Sequence, residues 1–340
     1  LSSYPLSHYS PQERSTGGLR LIQFDKDDTE ALGLMKLDLL GLRMLGVFER
    51  AREEIIRTEG VFIDFSAIPD DEAVWSTIQE GDTMTLFQIE SPAQVRMSVQ
   101  LKPESRQDLK DQVALVRPGP IQSGSVHPYV RRRKGLEPVL YPHPALEPIL
   151  KRSYGVLLYQ EQVMQIAHHV AGFSWEDADR FRKEVGRFED EHEIREERRR
   201  FVEGAARKVG ATETEASEVF TLCAGFRGYG FAESHAWAFG LHAYTSAWLR
   251  HHYPAEYLAG VMSEEPGMYS AGTVRQEARA RGVGFARLDI NASSFHYFVE
   301  RTSYGKRLRP PLSAVKGVSK DVAKTIVLER LQRGLFSSLR

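Results

Sequence analysis

Apolar positions along the chain change their period several times, and the changes mark out its elements. Leu42, Leu45, Phe48, Ala51 and Ile55 recur at three and four residues, which predicts an amphipathic helix over residues 42–57. Before it, residues 34–40 form a compact apolar run around Lys36 and Asp38, which suits a buried strand with a carboxylate at its exit. Residues 1–35 are polar and broken by Pro5, Pro11, Gly17 and Gly18, so they read as loop with one short strand over 19–24. Residues 60–115 mix short helices and loops, and proline-rich turns dominate 117–148. Helical spacing then fills most of 158–262, with breaks near Gly172, Gly210 and 225–230. One face of that region, Val163, Ile166, Ala167 and Val170, reads as core. Another helix is expected over 275–281, and strand-like stretches over 285–299. The pattern predicts a mainly α protein with minor β structure.

Composition narrows the possibilities. The 340 residues are 41% hydrophobic and 27% charged, as expected for a soluble globular chain with a sizeable core. The formal net charge is −1, so any surface for a polyanion must be local. One cysteine, Cys223, excludes an internal disulfide framework and a multi-cysteine zinc site, and fits a cytoplasmic protein. No apolar run approaches the roughly 20 residues of a membrane span, so no membrane partner is expected. The chain opens on Leu1 and reads as a fragment.

Several stretches carry candidate chemistry. A lone aspartate in an apolar strand is costly unless it is paired or holds a metal, yet Asp38 also stands where a helix cap belongs. Chemistry alone favours the cap. In the string Arg117-Pro118-Gly119-Pro120-Ile121-Gln122-Ser123-Gly124-Ser125, Arg117 offers a planar donor fork and the turn offers amides and hydroxyls to an anion. A tight surface turn is the plainer alternative. Arg131-Arg132-Arg133-Lys134 follows as a run of four cations. In Ala178-Asp179-Arg180-Phe181-Arg182-Lys183-Glu184 acids interleave the cations, as on an ordinary solvated helix. In Gly230-Phe231-Ala232-Glu233-Ser234-His235, Ser234 and His235 open a helix and suit a phosphate or sugar hydroxyl, or merely cap the helix. Near the end, Val315-Lys316-Gly317-Val318-Ser319 is a glycine turn leading into a helix whose cap is Ser319.

In order along nearly the whole chain, these strings, together with Tyr154-Gly155-Val156-Leu157-Leu158-Tyr159-Gln160-Glu161-Gln162-Val163, resemble the bacterial C-family DNA polymerases, the family of the DNA polymerase III alpha subunit. The resemblance implies the end of an αβ palm over 1–44, fingers over 45–309, and the start of a helix-hairpin-helix element over 310–340. It makes Asp38 the third catalytic, metal-holding carboxylate and Lys36 a residue facing the triphosphate. It assigns Arg117, Ser123, Arg182, Lys183, Ser234 and His235 to the incoming nucleotide. It places Arg131, Arg132 and Arg133 against DNA phosphates, and also Lys316, Gly317 and Ser319. The implied reaction is attack of a primer 3′ hydroxyl on a deoxynucleoside triphosphate with two Mg2+ ions, on a DNA template-primer. A sliding clamp is a further implied partner.

The chain also departs from the family pattern. The two aspartates at the front of the palm are absent, so the chain alone is expected to be inactive as a polymerase. The alternative is a non-catalytic remnant or one half of a split polymerase. Arg187-Phe188-Glu189-Asp190-Glu191 replaces a lysine-rich run, and Glu233 replaces a basic residue, a reversal expected to oppose a triphosphate. The segments around His127-Pro128-Tyr129 and Glu265-Pro266-Gly267 resemble the error-prone branch more than the replicative one.

Overall fold

The computed structural model describes residues 2–37, 41–117, 124, 126–185, 191–226, 231–267 and 269–337. The chain divides into two compact units, Leu1–Arg43 and Met44–Arg340.

In the first unit, β1 (Gln12–Arg14) and β2 (Arg20–Ile22) form an antiparallel hairpin that pairs Gln12 with Ile22 and Arg14 with Arg20. The short helix α1 (Lys26–Ala31) starts at Asp25, whose Oδ1 accepts the Asp27 and Asp28 amides at 2.8 Å each. Asp28 reaches back to the Asp25 amide and closes a capping box. The strand expected over 34–40 does not form in its described part. Residues 34–37 have no regular structure, and Met35 and Leu37 are more than half exposed. Among the described residues the ladder of this unit joins β1 and β2. Asp38 lies outside the described residues.

The second unit is mainly helical. It opens with α2 (Arg43–Glu59), whose buried positions are Met44, Val47, Phe48, Ala51 and Ile55. The expected stripe included Leu45, yet Leu45 is half exposed. The face is turned by one position at its start because Val47 meets a later helix, α13 (Pro254–Glu264), at Gly260. A Cβ on Gly260 would lie 2.7 Å from the Val47 carbonyl oxygen, so only glycine permits that approach. The short helices α3 (Glu72–Gln79), α4 (Pro92–Leu101) and α5 (Arg106–Leu115) follow, each opened by an Asp or Ser cap. Next come α6 (Val126–Arg133), the four-residue α7 (Glu147–Leu150), α8 (Gln160–His169) and α9 (Trp175–Glu184). Then α10 (Glu191–Val209), α11 (Glu213–Ala224) and α12 (Glu233–His252) precede α13, and α14 (Ala271–Ala280) follows it.

Three of the apolar clusters among the described residues join most of the helices of this body. Elements α7 to α11 close around Val163, Ile166, Phe181, Phe201 and Phe220, and the predicted core face of α8 is fully buried. Helices α2, α13 and α14 pack with a small sheet. That sheet has the order β3 (Gly284–Phe285), β5 (Gly305–Arg309), β4 (Phe298–Thr302), with β3 parallel and β4 antiparallel to the central β5. A third cluster lies where α12 crosses α3 and α5, around Trp75, Leu109, Val113 and Tyr244. The chain ends in α15 (Lys320–Arg333), which packs Ala323 and Val327 on Leu312. No helix among the described residues is long and apolar enough to cross a membrane.

Candidate functional site

Helix α5 delivers the first candidate. Its cap, Ser105, and Asp108 form a reciprocal capping box, and every residue from Asp108 to Leu115 is buried. The chain leaves the helix at Val116, and the Arg117 guanidinium carbon then lies 4.1 Å from the centre of the Phe231 ring. Phe231 sits just before α12. Its carbonyl accepts the Gln160 amide at 3.1 Å, and the Glu161 carboxylate accepts the Glu233 amide at 2.9 Å. Since Ala232 has no side chain to cap α12, Glu161 performs that task from the first turn of α8.

His235 continues the row. Its ring centre is 5.3 Å from Phe231 and 4.0 Å from Phe239. Burial lowers its pKa from the ordinary value of 6.5, and the Arg117 charge lowers it further. His235 is therefore neutral at neutral pH, with one donor and one acceptor nitrogen. Ser234 is exposed beside it on the first turn of α12.

Arg182 joins from α9. It donates to Gln160 Oε1 at 3.3 Å and to Asp179 Oδ1 at 2.7 and 3.0 Å. Lys183 also reaches Asp179, at 3.1 Å. Burial alone would raise the Asp179 carboxyl, but these two cations hold it below the ordinary range. Thus Arg117, His235 and Arg182, drawn from three separate motifs, are linked through Phe231 and Gln160. Lys36 is exposed in the first unit, and Ser123 and Asp38 lie outside the described residues.

The arginine run of α6 is split by its surroundings. Arg133 makes a two-pronged pair with Asp108, at 2.8 Å on both oxygens, and donates to the Leu101 carbonyl. Arg132 donates to Glu137 at 3.2 Å and to the Tyr154 carbonyl at 3.3 Å. Arg131 has only a 3.3 Å contact with Glu137 and is 61% exposed. On a helix successive residues point in different directions, and here two of the three described arginines turn inward.

Glu233 also corrects an expectation. It accepts from Lys110 Nζ at 2.7 Å and lies 3.5 Å from Arg152. Its charge is answered inside the fold rather than left to oppose an anion. Neither Lys110 nor Glu161 stood out in the sequence. The only signal for Lys110 is a lysine–aspartate pair inside a stretch that ends Val113-Ala114-Leu115. Next to Lys110, at 3.5 Å, lies Asp111, which accepts the hydroxyls of Tyr129 and Tyr159. Burial pushes its carboxyl up, against the pull of Lys110 and the tyrosines.

At the far end of the chain Gly317 adopts φ +90°, a left-handed conformation natural to glycine. Ser319 accepts the Val322 amide at 3.2 Å and caps α15, and Lys316 is exposed on the turn. Among the described residues no group of three His, Cys, Asp or Glu side chains is placed to hold a metal ion.

Comparison with known proteins gives this geometry its context. Residues 44–209 match the family of the bacterial DNA polymerase III alpha subunit finger domain. Residues 282–340 match the helix-hairpin-helix motif, a span that takes in the small sheet as well as the Gly317 turn. The error-prone DNA polymerase of Mycolicibacterium paratuberculosis is 40% identical over 321 residues, which is 94% of this chain and 29% of that protein. The error-prone DNA polymerase of Symbiobacterium thermophilum is 39% identical over 360 residues, 100% of this chain and 32% of the relative. That of Methylococcus capsulatus is 40% identical over 305 residues, 89% and 29% respectively. The chain spans about three tenths of the length of the curated relatives it matches. It belongs to the bacterial C-family DNA polymerases, the family of the DNA polymerase III alpha subunit, and residues 44–209 carry that family's finger domain.

Proposed function

We propose that this chain provides the finger region of a DNA-directed DNA polymerase of the error-prone kind. In this reading the fingers bind the incoming deoxynucleoside triphosphate and the template-primer while a primer 3′ hydroxyl attacks the α-phosphate. The observation that carries it is the linkage of Arg117, Phe231, Gln160 and Arg182 beside Ser234 and His235, because a triphosphate needs several cations and neutral donors within a few ångströms. Arg117 and Arg182 supply charge, and Lys183 extends it. Neutral His235 donates to a phosphate or sugar oxygen without adding charge. Ser123 and Lys36 belong to the same proposal.

Asp38 is the metal-holding carboxylate of this reading, together with family carboxylates that this sequence lacks. Magnesium bound there would activate the attacking hydroxyl and neutralise the leaving phosphates. The described residues offer no cage of three His, Cys, Asp or Glu side chains for that ion. Arg131 contacts a DNA phosphate, and the amides of the 316–319 turn contact another, as helix-hairpin-helix turns present backbone donors to phosphate. Binding of a sliding clamp belongs to this reading only as an expectation for the longer relatives.

Triphosphate binding tests the proposal directly. Arg182→Ala should weaken binding of a deoxynucleoside triphosphate by about 1.5–3 kcal/mol, the worth of a charge-assisted contact, or roughly 10- to 150-fold. Affinity should also fall steeply with added salt. Unchanged affinity in Arg182→Ala and in Arg117→Ala would refute the reading.

A further inference from the structure

We propose that Lys110 is a positioning residue of the nucleotide site. Buried inside the finger body, it ties the helix that delivers Arg117 to the helix start that carries Ser234 and His235. The proposal rests on the nucleotide reading above and extends it to a residue that touches no nucleotide.

The first observation is that this ammonium is out of place. The Lys110 side chain is 2% exposed and the adjacent Asp111 side chain 1% exposed, on a helix whose last eight residues are all buried. An apolar residue would fill this space without the desolvation cost of a charge. Packing therefore does not account for a lysine here.

The second is where the charge is spent. Asp111 is already supplied by the hydroxyls of Tyr129 and Tyr159 and by the Gln107 amide, and its contact with Lys110 is long, at 3.5 Å. The short contact of Lys110 is the one across the helix crossing, 2.7 Å to Glu233 Oε1. The ammonium also lies 4.6 Å from the centre of the Tyr159 ring, which closes one side of its pocket.

The third is geometric. Helices α5 and α12 touch backbone to backbone at Gly240, where a Cβ would lie 2.8 Å from the Lys110 amide nitrogen. From there the crossing is packed through Leu109, Val113, Ala243 and Tyr244. Glu233 lies seven residues before Gly240, two helical turns towards the start of α12. The ion pair at Glu233 carries the hold from that packed crossing out to the first turn. Glu161 adds another by capping the Glu233 amide. What the ties fix is the first turn of α12, with Ser234 and His235, relative to the end of α5 and Arg117. The Arg117–Phe231–His235 row needs that register.

Four forms of the 340-residue chain test the idea: the unsubstituted chain, Lys110→Met, the pair Lys110→Met with Glu233→Gln, and Ile55→Ala. Ile55 is buried in the cluster of α2, α13 and α14, which contains no residue of α5. Dissociation constants for dATP with magnesium are measured by calorimetry, and melting temperatures are recorded on the same samples. Lys110→Met leaves Glu233 with the exposed Arg152 alone and should lower the melting temperature. The double variant removes one cation and one anion, so it should regain most of that stability. Its dATP affinity should nonetheless stay at least tenfold below that of the unsubstituted chain. Ile55→Ala should lose stability and keep its affinity. Full affinity in the double variant would overturn the proposal, as would an affinity loss in Ile55→Ala as large as that of the double variant. An unsubstituted chain that fails to bind dATP overturns the nucleotide reading itself, a different failure from the loss of the tie alone.

Discussion

The arginines of α6 separate structural charge from charge available to DNA, and substituting them one at a time is a sharp test. Arg133 and Asp108 are 13% and 10% exposed in their side chains and meet through two parallel 2.8 Å bonds. Removing one partner of a buried pair typically costs about 3–5 kcal/mol. After Arg133→Ala, Asp108 keeps the amides of Glu104 and Ser105 and the Ser105 hydroxyl, so part of its charge remains answered. The lower end, about 3 kcal/mol, is then expected. With a urea slope of about 3 kcal/mol per molar, the unfolding midpoint falls by about 1 M. Arg131→Ala breaks only an exposed 3.3 Å contact, and its stability should stay within about 0.5 kcal/mol. DNA binding should sort the two in the opposite order. If Arg131 neutralises one phosphate, its loss reduces the slope of log affinity against log salt by about 0.9, whereas the slope for Arg133→Ala is unchanged wherever the protein is folded. Urea titration and a salt series on a primer-template measure both quantities. An unmoved urea midpoint for Arg133→Ala would refute the reasoning, and so would a salt slope that drops for Arg133 and not for Arg131.

Gly240→Ala should force α5 and α12 apart and lower stability by about 1–3 kcal/mol, because the added methyl meets backbone at 2.8 Å rather than a side chain that can turn away; thermal unfolding measures it. Burial raises the Glu90 carboxyl from its ordinary 4.5 to about 7, against one hydrogen bond from the Thr85 amide. A carboxyl raised on folding holds its proton longer in the folded state, so stability should decline as pH rises from about 4.5 to 7; Glu90→Gln should flatten that decline in denaturation curves, and an unchanged pH dependence would count against it. A polypeptide of these 340 residues should extend no primer with magnesium and deoxynucleotides. If activity is recovered by supplying the missing palm carboxylates, Asp38→Asn should abolish it, and a primer-extension gel decides both points.

Reading the fold from the sequence succeeded where one short-range rule governs. The core face of α8 follows from helical spacing alone, and the predicted Ser319 cap is local chemistry within three residues. The family strings ran in order along the chain, and the finger-domain match covers 44–209. Other features depended on partners distant in sequence. The first turns of α2 bury Met44 and Val47 rather than the predicted Leu42 and Leu45, and Val47 packs on Gly260 of α13, a neighbour more than two hundred residues away. Residues 34–37 lack the strand that apolarity suggested, since a strand needs a ladder partner that apolarity does not provide. Charge shows the division most clearly. Sequence supplies a residue's sign, whereas tertiary structure decides whether that sign faces solvent. Arg131 and Arg133 are identical in sequence terms and two positions apart, yet one is exposed and the other is locked to Asp108. Glu233 read as a repulsive intruder until Lys110, 123 residues earlier, proved to be its partner. Electrostatic energy falls with distance in space and with solvent screening, and the chain order encodes neither until the helices have packed.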